Sequence, residues 1–413
     1  MPAQPLARRR VLLGVTGSIA CYKAADLASK LTQLGAQVDT ILTRSATQFI
    51  TPMTFQSVTG RRAYTDDDLW GTEAHVLHVG LGHAAELLVV VPATANTLAK
   101  LAHGQADDLL SVTALAAHCP LLIAPAMDVG MYAHPATQAN VAILRARGAI
   151  FVGPEEGHLA SGLTGLGRLS EPATILGHIR YLLTRQGPLA GRRVVVTAGG
   201  TREPVDPVRF LSNRSSGKQG YAVAQAALDA GAEVTLISTV ESLPLPTGAT
   251  RIPVETAQEM ADAVLAAAPQ SDVLVMAAAV ADFRPAQITA HKLKKESGLP
   301  APLELAATPD ILLAVAEQRH STGMPVVVVG FAAETENLYT YARAKLERKG
   351  LTFIVANDVS APDAGFAVDT NRVVLIGADG WTETLPLLHK SEVAAKVVQR
   401  IAHALGAVHA ETD

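Results

Sequence analysis

At 413 residues and 49% hydrophobic content, the chain can fill two cores, and two domains are expected. Aromatic residues make up only 4%, so those cores must be mostly Ala, Val and Leu. A net charge of −4 argues against bulk nucleic-acid binding, and two cysteines, Cys21 and Cys119, allow neither a disulfide framework nor a thiolate metal knuckle.

A reducing cytoplasm is the simplest home for such a chain, and no apolar run is long enough to span a membrane. Arg8–Arg10 followed by VLLGVTGSIAC has the look of a short export signal. Its apolar core is broken by Gly14, Thr16 and Gly17, and it reads better as a first strand and a glycine turn. From there strands and helices alternate. Strands are predicted at Val11–Val15, Gln37–Leu42, Leu87–Val91 and Leu121–Ala124. Helices are predicted at Ala20–Leu34, from about Thr94, and at Asp108–Ala117, Pro135–Arg147 and Glu171–Arg185. Gln186–Gly191 reads as a linker, which divides the chain into residues 1–186 and 187–413.

The pattern then restarts. Strands are expected at Arg192–Thr197, Glu233–Ser238, Val273–Met276, Val326–Gly330, Phe353–Ala356 and Arg372–Ile376. Helices are expected at Lys218–Ala230, Ala257–Ala267, Pro309–Gln318, Leu338–Lys349 and Lys390–Leu405. Each half is therefore an α/β, doubly wound, Rossmann-like domain whose ligands sit at the carboxyl ends of the strands.

The stretch VVVTAGGTREPVDPVRFLSNRSSGKQG, Val194 to Gly220, is the most informative. A buried strand runs into a Gly-Gly-Thr turn. Next comes a polar loop of roughly twenty residues, a length that is more often functional than idle. The loop carries Arg202, Arg209, Asn213, Arg214 and Lys218 and delivers the chain to a helix N-terminus, where backbone N–H groups hold phosphates. Four further segments fall at strand ends: AAAVADFRP with Asp282, HKLKK with Lys292, GFAAET with Phe331, and ANDV with Asn357 and Asp358. Lys345 and Lys349 lie four apart on one helix face. The set supplies cations for a triphosphate and carboxylates for Mg²⁺, without a P-loop.

These motifs resemble the bifunctional coenzyme A biosynthesis flavoproteins, which fuse phosphopantothenoylcysteine decarboxylase to phosphopantothenate–cysteine ligase. The resemblance covers nearly the whole chain. It implies a flavodoxin-like FMN-binding fold for the first half and a nucleotide-binding ligase fold for the second. It further implies homo-oligomers, with trimer-based flavoprotein cores and dimeric ligase domains. The implied ligase activates 4′-phosphopantothenate with CTP as an acyl-cytidylate, which the amine of cysteine then attacks. By motif position Asn213 resembles the residue that holds the intermediate, and Lys292 the lysine that assists the cysteine step. Asp282 and Phe331 resemble nucleotide-binding positions, Lys345 and Lys349 triphosphate contacts, and Asn357 with Asp358 the cytidine pocket. A carboxylate becomes an acyl donor only when its oxygen is made a good leaving group, and positioned cations serve that purpose.

In the first half GVTGSIACYKAADL, LTRSATQFITP and VPATANTLAK are strand-end segments suited to a flavin phosphate and ring. The resemblance implies FMN contacts at Gly17, Ser18, Thr43 and Thr94. His75, His78 and His83 are joined by no cysteine or carboxylate cluster, which disfavours a metal, and the sequence assigns no metal ligands. His78 matches the family's catalytic histidine, implied to take a proton as the flavin oxidises the cysteinyl thiol. Two positions depart from the family pattern. Its Pro-Ala-Met-Asn is here Pro125–Asp128, and its Ala-Cys-Gly flap is here Ala160–Gly162 with Ser161. Asparagine can donate a hydrogen bond to a substrate carboxylate; ionised aspartate cannot. So Asp128 is protonated, or turned away, or binding is weakened. A serine hydroxyl is also a far poorer acid than a thiol with pKa of about 8.5. The alternative is therefore a ligase whose first domain is an oligomerisation scaffold. A nicotinamide dehydrogenase fits poorly, since GVTGSIA lacks G-x-G-x-x-G and Asp39 lies inside the second strand.

Overall fold

The computed structural model describes residues 4–70, 74–294, 302–334, 337–358 and 368–410. The chain divides after Thr184 into two compact units. Among the described residues no helix is long and apolar enough to cross a membrane.

The first unit is built on six parallel strands: β1 (Arg10–Val15), β2 (Gln37–Leu42), β3 (Ala63–Tyr64), β4 (Leu87–Ala93), β5 (Leu121–Pro125) and β6 (Ile150–Phe151). Their order is β3-β2-β1-β4-β5-β6. Without the two-residue edge strand β3, the remaining order is the flavodoxin-like one. Helices α1 (Cys21–Gln33), α2 (Pro52–Thr59), α3 (Ala74–Ala84), α4 (Ala95–His103), α5 (Leu109–Ala116), α6 (Val129–Ala133), α7 (Pro135–Ala146) and α8 (Pro172–Thr184) complete it. Strand β4 is buried along its whole length, as expected for a strand covered on both faces. One core layer packs α1 and α8 against Leu13, Val15 and Val89; the other packs α4, α5 and α7 against Leu12, Leu88 and Val90. Helix starts follow local chemistry. Thr94 caps α4 through the N–H of Thr97, and Asp108 with Ser111 forms a capping box on α5.

The predicted strands and helices of this half are present. The sequence reading did not anticipate α2, nor that HVLHVGLGH lies within helix α3. It also missed the hairpin β7 (Glu155–His158) and β8 (Thr164–Arg168), whose side chains alternate weakly and carry little strand signal.

The second unit holds an eight-stranded sheet. Its strands are β9 (Arg193–Ala198), β12 (Glu233–Ser238), β13 (Ala249–Pro253), β14 (Val273–Met276), β17 (Val327–Glu334), β18 (Phe353–Asp358), β20 (Val373–Gly377) and β21 (Thr382–Thr384). They run in the order β13-β12-β9-β14-β17-β18-β20-β21, parallel up to β18 and antiparallel in the last two. Helices α9 (Lys218–Asp229), α10 (Ala257–Ala267), α11 (Ile311–Thr322), α12 (Leu338–Arg348) and α13 (Lys390–Ala410) complete the unit. Among the described residues three two-stranded ribbons sit outside the sheet: β10 (Arg202–Pro204) with β11 (Phe210–Ser212), β15 (Phe283–Pro285) with β16 (Leu305–Ala307), and β19 (Thr370–Asn371) with β22 (Leu388–His389). The long polar loop is thus not structureless. Its middle folds into β10 and β11, held by Asp206, whose buried carboxylate accepts the N–H groups of Val208, Arg209 and Leu293. Burial would push that carboxyl up, but these donors and the Arg209 guanidinium hold it below the usual aspartate value.

Helix α9 lies unusually close to β9. A Cβ on Gly220 would stand 2.6 Å from Cβ of Ala198 and 2.8 Å from O of Thr197. Gly220→Ala is expected to destabilise the second unit by about 1–3 kcal/mol through overpacking. Urea unfolding of the full chain should show a lower midpoint for one transition, and an unchanged midpoint would refute the close packing.

Candidate functional site

In each unit a cavity opens at the carboxyl ends of the strands, beside the end of the first strand. The first unit has two adjoining cavities that share Gly17, Thr94 and Met131. One, of about 690 Å³, is lined by Ser18, Ile19, Tyr22, Lys23, Phe49, Met127, Asp128, His158, Ser161 and Arg168, among others. The other, of about 890 Å³, is polar and includes Thr43, Arg44, Ser45, Asp66, Asn96, Lys100 and Asp108. Of the sequence-predicted residues, Gly17, Ser18, Thr43, Thr94, Asp128 and Ser161 therefore converge on this trough. Gly17 is required there, because a Cβ would collide with the side chain of Ser45. Thr16 fixes the turn. Its hydroxyl donates to Pro92 O at 2.6 Å and accepts the Thr94 N–H at 3.1 Å, which pins the end of β1 to the end of β4.

His78 does not join this group. It sits mid-way along α3, lines neither cavity, and its Nδ1 is buried with no hydrogen-bond partner among the described residues. For His75 only the backbone is described. Cys21 is buried, its Sγ directed to Thr16 O, and Cys119 is half-buried; neither lines a cavity of this unit. Burial pushes both thiols up, away from the acidity a proton donor needs.

Asp128 is held by two partners. It caps α6, with Oδ1 accepting the Gly130 N–H at 2.9 Å and Oδ2 accepting the Ser161 hydroxyl at 2.6 Å. The Ser161 bond and then the Gly130 N–H hold its carboxyl below the usual value, which favours its charged form. Of the three possibilities raised by the sequence, protonation is the one this geometry opposes, and the side chain faces the cavity rather than turning away. Lys23 and Arg168 line the same cavity and share Glu171 Oε1, at 2.9 and 2.5 Å.

A cavity of about 710 Å³ opens in the second unit. Asn213, Asp282, Phe331, Lys345, Lys349 and Asn357 all line it, with Ser215, Ser216, Lys218, Asp310, Asn371 and Lys390. Gly217 opens α9 at φ 75°, a left-handed conformation that suits glycine, and offers no side-chain cap to the helix N–H groups. Asn213 donates its amide to the carbonyls of Ala279 and Val280, both at 3.2 Å, which ties the anion loop to the AAAVAD segment. Thr197 and Thr201 accept the N–H groups of Ala278 and Ala281 at 3.1 and 2.9 Å. Lys345 donates to Phe331 O at 2.9 Å. Lys349 is buried and paired with Asp310, the N-cap of α11, so its charge is already engaged. Asn357 is 7% exposed, and its Oδ1 has no hydrogen-bond partner among the described residues. Only the backbone of Asp358 is described, where it ends β18, and Lys295, Thr335 and Val359 lie outside the described residues. Lys292 is exposed and does not line the cavity.

Two residues the sequence reading passed over are in this site. Lys390 begins α13 and is 4% exposed; only its place at a predicted helix start hinted at it. Asp310 had the signal of an N-cap, Pro-Asp before an apolar run, and was absorbed into the helix prediction. Among the described residues no group of three His, Cys, Asp or Glu side chains could hold a metal.

The two folds and their strand-end cavities define a flavoprotein domain joined to a nucleotide-type α/β domain, and comparison with known proteins agrees. The family model described as Flavoprotein matches residues 2–184, and that described as DNA/pantothenate metabolism flavoprotein C-terminal domain matches residues 189–405. The chain is 47% identical over 400 residues to the coenzyme A biosynthesis bifunctional protein CoaBC of Bacillus subtilis, covering 96% of this chain and 97% of that one. It is 46% identical over 404 residues to the protein of the same name from Mycobacterium tuberculosis, covering 95% and 96%. A crystal structure of the C-terminal domain of a CoaBC protein shares 40% identity over 54% of this chain and 99% of that chain, with TM-score 0.45. A PPC decarboxylase mutant complexed with pantothenoylaminoethenethiol shares 32% identity over 43% and 98%, with TM-score 0.40. The chain belongs to the family of bifunctional coenzyme A biosynthesis enzymes, with a flavoprotein decarboxylase domain and a ligase domain.

Removing the Ser161 hydroxyl should raise the Asp128 pKa toward the ordinary aspartate value of about 3.9, because the bond stabilises the charged form. A carboxyl-detected NMR titration of Ser161→Ala against wild type would show this; an unmoved midpoint would refute the pairing.

Proposed function

We propose that the ligase half joins 4′-phosphopantothenate to cysteine at the expense of CTP, and that the flavoprotein half decarboxylates the product with FMN. The observation that carries the first part is the 710 Å³ cavity, which Asn213, Lys218, Lys345 and Asn357 line and onto which the uncapped start of α9 opens. In this reading the triphosphate lies near that start, where N–H groups and lysines meet negative charge. The substrate carboxylate attacks the α-phosphorus and pyrophosphate leaves. The cysteine amine then attacks the acyl carbon, CMP leaves, and the amine proton is lost to solvent. Asn213 is held by two carbonyls in a fixed pose suited to positioning the intermediate. The Asn357 Oδ1, which has no partner among the described residues, is an acceptor suited to an exocyclic amine of the base. Mg²⁺ would be held chiefly by phosphate oxygens with Asp282 nearby, as suits a cation that keeps few protein ligands. The assignment of Lys292 to the cysteine step rests on its motif, since the residue stands outside the cavity.

The trough of the first unit suits FMN. Ser18, Thr43, Ser45 and Thr94 supply hydroxyls, and Ile19, Phe49, Met127 and Met131 supply apolar surface. When bound, FMN supplies the two-electron redox chemistry that makes loss of CO₂ feasible. Asp128 presents a negative charge that would repel a substrate carboxylate by about 4 kcal/mol at 4 Å and an effective dielectric near 20. Lys23 and Arg168, lining the same cavity, offset that charge. His78 as proton acceptor requires a site completed by another copy of the chain. A trimer-based flavoprotein core would provide it; Ile19, Tyr22 and Phe49 are exposed apolar side chains at the trough, which an adjoining copy would help to cover. Dimeric ligase domains, a cytoplasmic location and no membrane or nucleic-acid partner complete the reading. Similarity to bifunctional proteins along the whole length favours two activities over a ligase with a scaffold.

Purified protein with Mg²⁺, CTP, 4′-phosphopantothenate and cysteine is expected to release pyrophosphate and CO₂ and to form 4′-phosphopantetheine by mass spectrometry. Accumulation of 4′-phosphopantothenoylcysteine would instead overturn the decarboxylase half. Asn213→Ala should reduce coupling by about 100-fold or more, the scale of losing a positioning or charge-stabilising group, with flavin absorbance unchanged.

A further inference from the structure

A lysine buried to 4% exposure in a cavity wall is costly, because desolvation disfavours its charged form. Lys390 is such a residue. It starts α13, its N–H is held by Asp369 O at 2.9 Å, and Gln219 of α9 donates to its carbonyl at 3.2 Å. Its backbone is therefore fixed against α9. Asn371 donates to Gln219 Oε1 at 3.1 Å and also lines the cavity. The neighbouring cation, Lys218, begins α9 and reaches Asp369 at 2.7 Å. Two lysines thus face one cavity beside a helix start whose N-cap provides no side-chain acceptor. A second observation points to a ligand in the same cavity, the buried Asn357 Oδ1 that lacks a hydrogen-bond partner among the described residues.

We propose that Lys390 is a phosphate-binding residue of the ligase cavity, its ammonium and that of Lys218 closing on a phosphate group seated at the start of α9. This rests on the reading of the cavity as the site of CTP and 4′-phosphopantothenate. Both carry phosphate, and the chemistry at Lys390 is the same for either. Burial, and then the charge of Lys218, push the Lys390 ammonium down to about 8, with Asp369 acting in the opposite sense; His389 is the adjoining titratable group. An arriving phosphate stabilises the charged form, so binding near pH 8 takes up protons.

The test uses the full-length protein. Pyrophosphate release is measured for wild type, Lys390→Met, Lys390→Arg and, as a control on the exposed side of the same helix, Lys396→Met. CTP, 4′-phosphopantothenate and cysteine are varied in turn. Losing a charge-assisted hydrogen bond should raise KM by about 10- to 100-fold for one phosphate substrate in Lys390→Met, leaving that for cysteine within about twofold. A rise for CTP assigns the triphosphate, and a rise for 4′-phosphopantothenate assigns the substrate phosphate. Lys390→Arg should recover most of the loss, and Lys396→Met should match wild type. Unchanged KM values in Lys390→Met, or an arginine variant no better than methionine, would overturn the proposal. Should Lys390→Met fail to fold, calorimetry of wild type at pH 8 in two buffers of different ionisation enthalpy decides. Proton uptake on binding CTP or 4′-phosphopantothenate is expected, and its absence for both overturns the proposal. A wild type that releases no pyrophosphate at all would instead remove the ligase reading beneath it.

Discussion

Both halves depend on one constraint: two neighbouring parallel strands must be tied together at the point where the chain turns away from them in opposite directions. In each half a threonine near the end of the first strand does this. Thr16 bonds Pro92 and Thr94 across the gap, and Thr197 takes the N–H of Ala278. Both threonines are almost fully buried. A buried hydroxyl between two backbones satisfies groups that the sheet ladder has released, and such groups are costly if left alone. With the ends pinned, the crevice keeps its width and the loops that line it start from fixed positions. Gly17 and Gly217 then let the backbone pass where a side chain would collide.

The alternation of apolar runs with Ala-rich helices made the two sheets legible from sequence. Buried parallel strands such as Val194–Val196 and Leu87–Val91 are continuous apolar blocks, and little else produces that signal. Antiparallel additions were harder to read. The hairpin Glu155–His158 with Thr164–Arg168 and the ribbon around Asp206 carry glycine, proline and charge, and only long-range hydrogen bonds make them strands. Helix α3 was missed because its three histidines drew a metal question, while its helical repeat of Val76, Leu77 and Leu81 is short.

The same contrast holds for function. Asn213, Asp282, Phe331, Lys345, Lys349 and Asn357 are far apart in sequence yet line one cavity, because strand-end loops of a parallel sheet all open on one edge. His78 and Lys292 line none of the cavities of their own units, which motif position alone did not reveal. Lys390 escaped notice for the opposite reason. A lysine opening a helix is unremarkable in sequence, and its burial follows only from α13 packing beside α9.

The pairing of Lys349 with Asp310 gives the ligase cavity a threshold. These two groups bridge the end of α12 and the start of α11, so the lysine arrives already neutralised. Any incoming anion gains only the difference between itself and a carboxylate in place. Weakly charged metabolites gain little by that exchange, whereas a polyphosphate gains at several oxygens together. On electrostatic grounds such a clasp would admit anions of high charge density in preference to weakly charged ones.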